Sequence, residues 1–248
     1  MMSLFSQIYR DTKTAHNEAE NKIFILRYRQ HTHTLADHYR HLTQLLPIYQ
    51  VLEKKMNDPN FFIRFPKHLR FLLVRSKKII ADLEFLQRHC SNQLNDQPLA
   101  STETYVAYLD ALNIKENATE ILAHFLTRIL GDLNGGQQLK KYVHALFDRA
   151  KIHVENENGV TFYSFEKTTL SYFLNWMNTH LVLENEMELI QFINQAFHRH
   201  SILFDELERT RYQRLTMNNC CNFFTKVAVV SAVMYTAGVA FIAMQSSS

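Results

Sequence analysis

Apolar residues recur along most of the chain at the three- and four-residue spacing of an amphipathic α-helix. This spacing predicts a helix from Leu4 to about residue 26, and a second helix over residues 35–56 that is interrupted or bent at Pro47. No segment alternates apolar and polar residues as a half-buried strand would. We therefore expect one all-α domain over residues 1–215. Its further predicted helices cover residues 67–89, 101–112, 115–150, 166–181 and 184–214.

The C-terminal segment departs from this amphipathic pattern, because residues 227–244 include no charged side chain. At the helical rise, this run is about 27 Å long, close to the roughly 30 Å hydrocarbon core of a bilayer. Arginines at 209, 211 and 214 precede it, which favours placing the bulk of the protein on the cytosolic side. The pattern predicts a membrane protein with a single-pass C-terminal tail anchor after a polar linker at 216–226. A buried C-terminal helix is the alternative.

Composition and charge narrow the class of protein. The chain has 248 residues, of which 46% are hydrophobic and only five are glycine and four proline. Such scarcity of helix-breaking residues favours long helices. The net charge of +3 is too small to indicate a nucleic-acid partner, and it is compatible with an anionic ligand, an anionic membrane or an acidic protein. The three cysteines include no C-x-x-C pair, and the first ten residues do not resemble a signal peptide.

Three of the five glycines lie within six residues, at Gly131, Gly135 and Gly136. A glycine inside a helix costs roughly 1 kcal/mol relative to alanine, so this cluster requires an explanation. One interpretation is a loop between two helices, with Gly135 as the C-cap. The other is a kinked helix whose bare backbone lies against a flat ligand. Asp132 inside this cluster is a polar group that needs a partner.

His16 is the histidine whose surroundings best suit a metal ligand. The neighbouring Ala15 and Ala19 are small and leave room for a bulky group on that face. Glu20 follows one helical turn later, where its carboxylate can orient the ring nitrogen that faces away from a metal. An ordinary surface histidine on an amphipathic helix is the alternative. The chain contains no Glu-x-x-His motif, which argues against a di-iron helical bundle.

Several segments together resemble the biliverdin-producing heme oxygenases of animals and cyanobacteria. The stretch TKTAHNEAEN at 12–21 is similar to the proximal-helix motif of that family, and AHFLTRILGDLNGGQQLKK at 123–141 is similar to its distal-helix signature. The stretch NDPNFFIRFP at 57–66 resembles the loop before the third helix. The similarity extends over nearly all of residues 5–210. It implies a multi-helical bundle that holds heme between a proximal helix and a glycine-kinked distal helix.

On this resemblance, His16 corresponds to the proximal iron ligand and Glu20 to the carboxylate that orients it. Lys13 corresponds to a basic residue near the heme propionates. The remaining site residues implied by the resemblance are the distal-helix glycines Gly131, Gly135 and Gly136, Asp132 as the holder of a distal water, Tyr49 and Arg128 as members of its hydrogen-bond network, and Phe197 and Phe204 as aromatic walls of the pocket.

The chain also departs from the family pattern at three places. His200 stands where the family usually has asparagine, and Leu126 replaces a tyrosine that helps to hold a propionate. Residues 169–174 are uncharged where a lysine and an arginine are usual. Lys167 or His180 could substitute for them, so the resemblance leaves open which residues orient the heme and where the ring is cleaved.

The activity that the resemblance implies is the O2-dependent opening of heme to biliverdin, CO and ferrous iron, so that heme is both cofactor and substrate. A neutral histidine ligand leaves the sixth iron position open for O2. Electrons would come from an external reductase or a ferredoxin-like protein, because the sequence contains no flavin or dinucleotide motif. A heme carrier or sensor without catalytic activity on the same fold is the main alternative. A helical oxidase sharing only the fold and a membrane-tethered interaction module are two others.

Overall fold

The computed structural model describes the backbone of residues 3–90, 94–155, 157–181 and 185–245, and side chains as far as residue 216 apart from residue 215. Within these ranges the chain forms eight α-helices and two 3-10 helices, and no strand. The 3-10 helices are Lys67–Val74 and Thr161–Tyr163. The all-α prediction is confirmed. The α-helices are α1 (Leu4–Glu20), α2 (Ile23–Arg29), α3 (Leu35–Met56), α4 (Arg75–His89), α5 (Ala100–Ala111), α6 (Ala118–Arg149), α7 (Thr169–His180) and α8 (Glu186–Gln245).

The helix predicted from Leu4 to residue 26 is in fact two helices, so that prediction was wrong. Helix α1 ends at Asn21, whose backbone amide and side-chain amide both donate to the carbonyl of Asn17, at 3.0 and 2.9 Å. Lys22 then adopts an extended backbone, with ψ of 139°, before α2 begins. The break places α2 beside α1 and α6.

Helix α3 begins and ends where the sequence predicts. A capping box defines its start: the Thr34 hydroxyl accepts from the amide of Asp37, and the Asp37 carboxylate accepts from the amide of Thr34. Leu42, Ile48 and Leu52 on this helix are almost fully buried. Packing against α4, α5 and α6 makes α3 the central helix of the bundle.

The predicted helix at 67–89 is also divided, because its first eight residues form a 3-10 helix and α4 begins only at Arg75. Helix α6, in contrast, runs through Gly131, Gly135 and Gly136 without interruption. The interpretation of the glycine cluster as an interhelical loop was therefore wrong, and these glycines lie on a helix surface.

Two compact units divide the chain, residues Met1–Leu207 and residues Glu208–Ser248. The α-helical backbone of the second unit extends to Gln245. The side chains of the predicted anchor at 227–244, and of nearly all of the preceding linker, lie outside the described residues. Among the residues that the structure describes in full, no helix is long and apolar enough to cross a bilayer.

Candidate functional site

A cavity of about 380 Å³ lies within the first unit, lined by residues of α1, α2, α3, α6 and α8 together with Tyr163. Its volume falls in the range of pockets that bind small molecules. Two larger grooves, of about 1200 and 1250 Å³, are more open to solvent and include neither His16 nor Asp132. The cavity is therefore the candidate functional site. Its titratable lining residues are His16, Glu20, Arg29, His41, Arg128, Asp132, Tyr142, Tyr163 and His200.

His16 stands at one edge of the cavity with 46% of its side chain exposed. The ring of Phe197 meets it edge-on, with 5.5 Å between the ring centroids. Nδ1 of His16 lies 3.8 Å from a Glu20 oxygen, a distance too long for a hydrogen bond but within reach of a small rotation. The other Glu20 oxygen accepts a hydrogen bond from the guanidinium of Arg29. Glu20 thus lies between a candidate metal ligand and a cation.

Gly131 and Gly135 line the cavity, and a Cβ at either position would meet no atom of the protein within 4 Å. Packing within the protein therefore does not require glycine at either residue. Gly136 differs, because it does not line the cavity and its Cβ would stand 3.4 Å from Cδ1 of Tyr163. The bare backbone at 131 and 135 is open and forms part of the cavity wall, which is the arrangement expected if a flat ligand lies against α6.

Asp132 is buried at the inner end of the cavity and is held by two partners. Tyr49 on α3 donates its hydroxyl proton to one carboxylate oxygen, and Nη2 of Arg128 donates to the other at 3.2 Å. Arg128 also donates from Nε to the Tyr49 hydroxyl at 3.1 Å, which closes a three-residue ring. The carboxylate is thus fixed by two different helices.

Burial raises the pKa of Asp132, although the nearby Arg128, Arg75 and Tyr49 lower it in part. Burial also raises the pKa of Tyr49 well above its usual range, so its phenol keeps the proton that it donates to Asp132. A carboxyl group with an elevated pKa can hold and pass a proton nearer to neutral pH than an ordinary aspartate can. Asp132 is thus suited to proton transfer through water in the cavity.

Behind Asp132 lies a buried charged group that sequence reasoning missed. Arg75 is fully buried, and its three guanidinium nitrogens have no hydrogen-bond partner in the described part of the chain. Its guanidinium carbon lies 4.1 Å from the ring centroid of Phe165. Glu53, one helical turn after Tyr49, is also buried and accepts from the amide and hydroxyl of Ser76. The signal in the sequence that could have revealed Arg75 and Glu53 is a charged residue at a helical position that faces the core.

Two buried histidines also form part of the cavity wall. His200 donates from Nδ1 to the carbonyl of Ala196 at 2.7 Å, and burial together with Arg128 lowers its pKa well below the usual range. It is therefore a neutral ring whose Nε2 carries no proton. His41 shares the Tyr28 hydroxyl with His38, at 3.1 and 2.9 Å from their Nδ1 atoms. Sequence reasoning did not place His41 in the site.

The structure gathers eight of the eleven residues expected from the sequence around this one cavity. Tyr49 lies behind the wall and acts through Asp132. Lys13 is exposed on α1 and, like Gly136, is not part of the wall. The eight that line the cavity are His16, Glu20, Arg128, Gly131, Asp132, Gly135, Phe197 and Phe204.

Comparison with known proteins is consistent with this geometry. The family model described as heme oxygenase matches residues 2–206. The heme oxygenase of Guillardia theta is 29% identical over 173 residues, covering 66% of this chain and 67% of the relative. Heme oxygenase 1 of Synechocystis sp. is 28% identical over 220 residues, covering 84% of this chain and 85% of the relative. The crystal structure of heme oxygenase-1 from that cyanobacterium, in complex with heme, aligns with a TM-score of 0.70 at 24% identity, over 87% of this chain and 97% of that one.

Proposed function

The chain belongs to the heme oxygenase family, and from that membership we propose that it binds heme in the cavity and opens it with O2 to biliverdin, CO and ferrous iron. One observation carries this proposal. His16, the open backbone of Gly131 and Gly135, and the buried carboxyl of Asp132 all line the same cavity. A ligand histidine, a flat contact surface and a positioned proton donor are the parts that the reaction requires.

The residues present fit heme. The porphyrin is a flat and largely apolar disc, and the wall offers Leu45, Leu139, Phe197 and Phe204 as apolar contacts. The two glycines leave room for a ring plane against α6, since nothing in the protein fills the space where their side chains would be. Heme, when bound, supplies both the iron at which O2 is reduced and the ring that is cut.

His16 would hold the iron through a neutral imidazole nitrogen. Glu20, 3.8 Å from Nδ1, is placed to accept a hydrogen bond from the N–H of the ring nitrogen that faces away from the metal, which would fix the tautomer. Phe197 packs edge-on against the imidazole and restricts its rotation. These two contacts would keep the ligand ring in one orientation.

Asp132 would act through water rather than by binding iron. Its two oxygens are held by Tyr49 and Arg128, which fixes the direction from which a water molecule can approach. Burial raises the pKa of the carboxyl group, so Asp132 holds a proton more readily than an exposed aspartate would and could pass it to that water. Because Gly131 and Gly135 have no side chains, neither residue would place a side chain against the reacting face of the heme.

A hemin titration tests this proposal against the alternative that the protein is a heme carrier without catalytic activity. The full chain should bind one hemin with the spectrum of a histidine complex. His16→Ala should lose that spectrum, and added imidazole should restore it. With ascorbate or a reductase, the wild-type protein should form biliverdin. If the protein bound hemin but formed no biliverdin with any reductant, it would be a heme carrier and not an enzyme. An unchanged spectrum in His16→Ala would contradict the assignment of His16 as the iron ligand.

We also propose that the C-terminal segment anchors the protein in a membrane with the catalytic domain on the cytosolic side. The uncharged run at 227–244 and the basic residues before it support this proposal. Carbonate extraction should leave the full chain in the membrane pellet and release a chain that ends at Thr216. Identical fractionation of the two would contradict the anchor.

An external protein would supply electrons to this site. Arg10, Lys13, Lys140 and Lys141 are the basic residues that the sequence suggests for docking such a partner. Arg10 is paired with Asp11 and Lys140 with Glu157, so the surface is partly neutralised. Turnover with a reductase should nevertheless fall as salt screens the remaining charge, and turnover unaffected by salt would contradict this docking mode.

A further inference from the structure

The cavity contains few cations for a ligand that carries negative charge. Among the described residues, two arginines line it, Arg29 and Arg128. Arg128 is 13% exposed and is already committed to Asp132 and Tyr49. Arg29 is 41% exposed and bonds only with Glu20 at the rim. Arg29 is thus the one lining arginine that an incoming anion can reach without breaking the buried cluster.

Heme carries two carboxylates on one edge of the ring, and that edge must meet solvent or a cation. A guanidinium matches a carboxylate through two parallel hydrogen bonds. The other cations that the sequence suggests for this role, Lys13, Lys167 and His180, are not part of the cavity wall. We propose that Arg29 binds a substrate carboxylate at the cavity mouth and thereby sets the orientation of the ring. This inference rests on the proposed function.

The position of Glu20 gives this contact a second consequence. One Glu20 oxygen is occupied by Arg29, while the other stays 3.8 Å from Nδ1 of His16. A carboxylate that takes over the Arg29 guanidinium releases Glu20, which can then close the gap to His16. Substrate orientation and the hydrogen bond to the proximal ligand are thereby coupled through one carboxylate.

The test compares hemin with its dimethyl ester, which has the same ring and iron but no carboxylate charge. The wild-type chain should bind hemin about tenfold more tightly than the ester. Arg29→Leu should remove this preference, because it weakens the binding of hemin and leaves the affinity for the ester unchanged. Arg29→Lys should retain part of it. Arg27→Leu makes the same change two residues earlier on α2, at a position off the cavity wall, and is the matched control that should keep the full preference.

The coupling has its own spectroscopic readout, the iron–histidine stretching frequency of the ferrous complex. In the wild type this frequency should differ between heme and the ester, because only the diacid releases Glu20. In Arg29→Leu and in Glu20→Gln the two ligands should give equal frequencies. Arg29→Gln, with circular dichroism as a fold check, replaces Arg29→Leu if that variant does not fold.

Three outcomes would overturn the proposal: a hemin preference that survives in Arg29→Leu and Arg29→Gln, a preference lost in Arg27→Leu instead, or a wild-type stretching frequency that is the same for both ligands. Failure of the proposed function gives a different result, since the wild-type chain would then bind neither hemin nor the ester through His16. The isomer composition of biliverdin is a further check, because Arg29→Leu should form a mixture of more isomers than the wild type does.

Discussion

Replacement of Gly135 by alanine separates the demands of the fold from those of the ligand. Gly135 lies inside α6, and a Cβ there would meet no protein atom within 4 Å. Alanine in a helix interior is favoured over glycine by about 0.5–1 kcal/mol. Gly135→Ala should therefore stabilise the protein without ligand by about that amount. For a domain of this size, the increase in Tm should be roughly 1–4 °C.

Heme binding should change in the opposite direction. The new methyl group points into the cavity against which we place the porphyrin, and overpacking of this kind costs about 1–3 kcal/mol. The hemin dissociation constant should thus rise by roughly 5- to 150-fold. Gly136→Ala is the matched control, because it makes the same change one residue later, off the cavity wall and in ordinary contact with Tyr163.

The assay is thermal unfolding of the protein without ligand together with a hemin titration, for wild type and both variants. Gly135→Ala should be more stable and bind hemin less tightly, while Gly136→Ala should keep wild-type affinity. Loss of stability in Gly135→Ala would refute the description of its surroundings. Equal hemin affinity in all three proteins would refute the placement of the ring against α6.

Three further predictions concern proton transfer, pH dependence and a strained turn. Asp132→Ala should leave the hemin dissociation constant nearly unchanged. It should lower the rate of biliverdin formation by about 10²–10⁴-fold, because a positioned proton donor is lost. A wild-type rate in this variant would contradict the role of Asp132 in proton transfer. Because burial raises the pKa of Asp132 in the folded state, the unfolded chain releases this proton first, and stability falls as pH rises from 3.8 through the raised value. The stability of Asp132→Asn relative to wild type, from urea unfolding, should therefore increase with pH over this window, and a constant difference would exclude the raised pKa. Gly159→Ala should lower the unfolding free energy by more than about 1 kcal/mol, because φ is +80° there and a Cβ would meet Phe85 at 2.5 Å; unchanged urea unfolding would contradict this strain.

Helix type and the local motifs were readable from the sequence because both depend on neighbours three and four residues away. The bounds of α3, the pairing of His16 with Glu20 and that of Arg128 with Asp132 all follow from helical spacing. The division of the first predicted helix was missed, because the helical pattern continues past Lys22, where the backbone becomes extended.

The composition of the cavity wall depended on contacts between residues far apart in the chain. Arg29 reaches Glu20 only because α2 folds back beside α1, and Tyr49 meets Asp132 across 83 positions of sequence. The periodicity of one helix indicates which face is buried but not which helix covers it. The presence of His41 and His200 in the wall, and of Arg75 behind Asp132, was therefore decided by the packing of α3, α4, α6 and α8, where burial and charge act between helices.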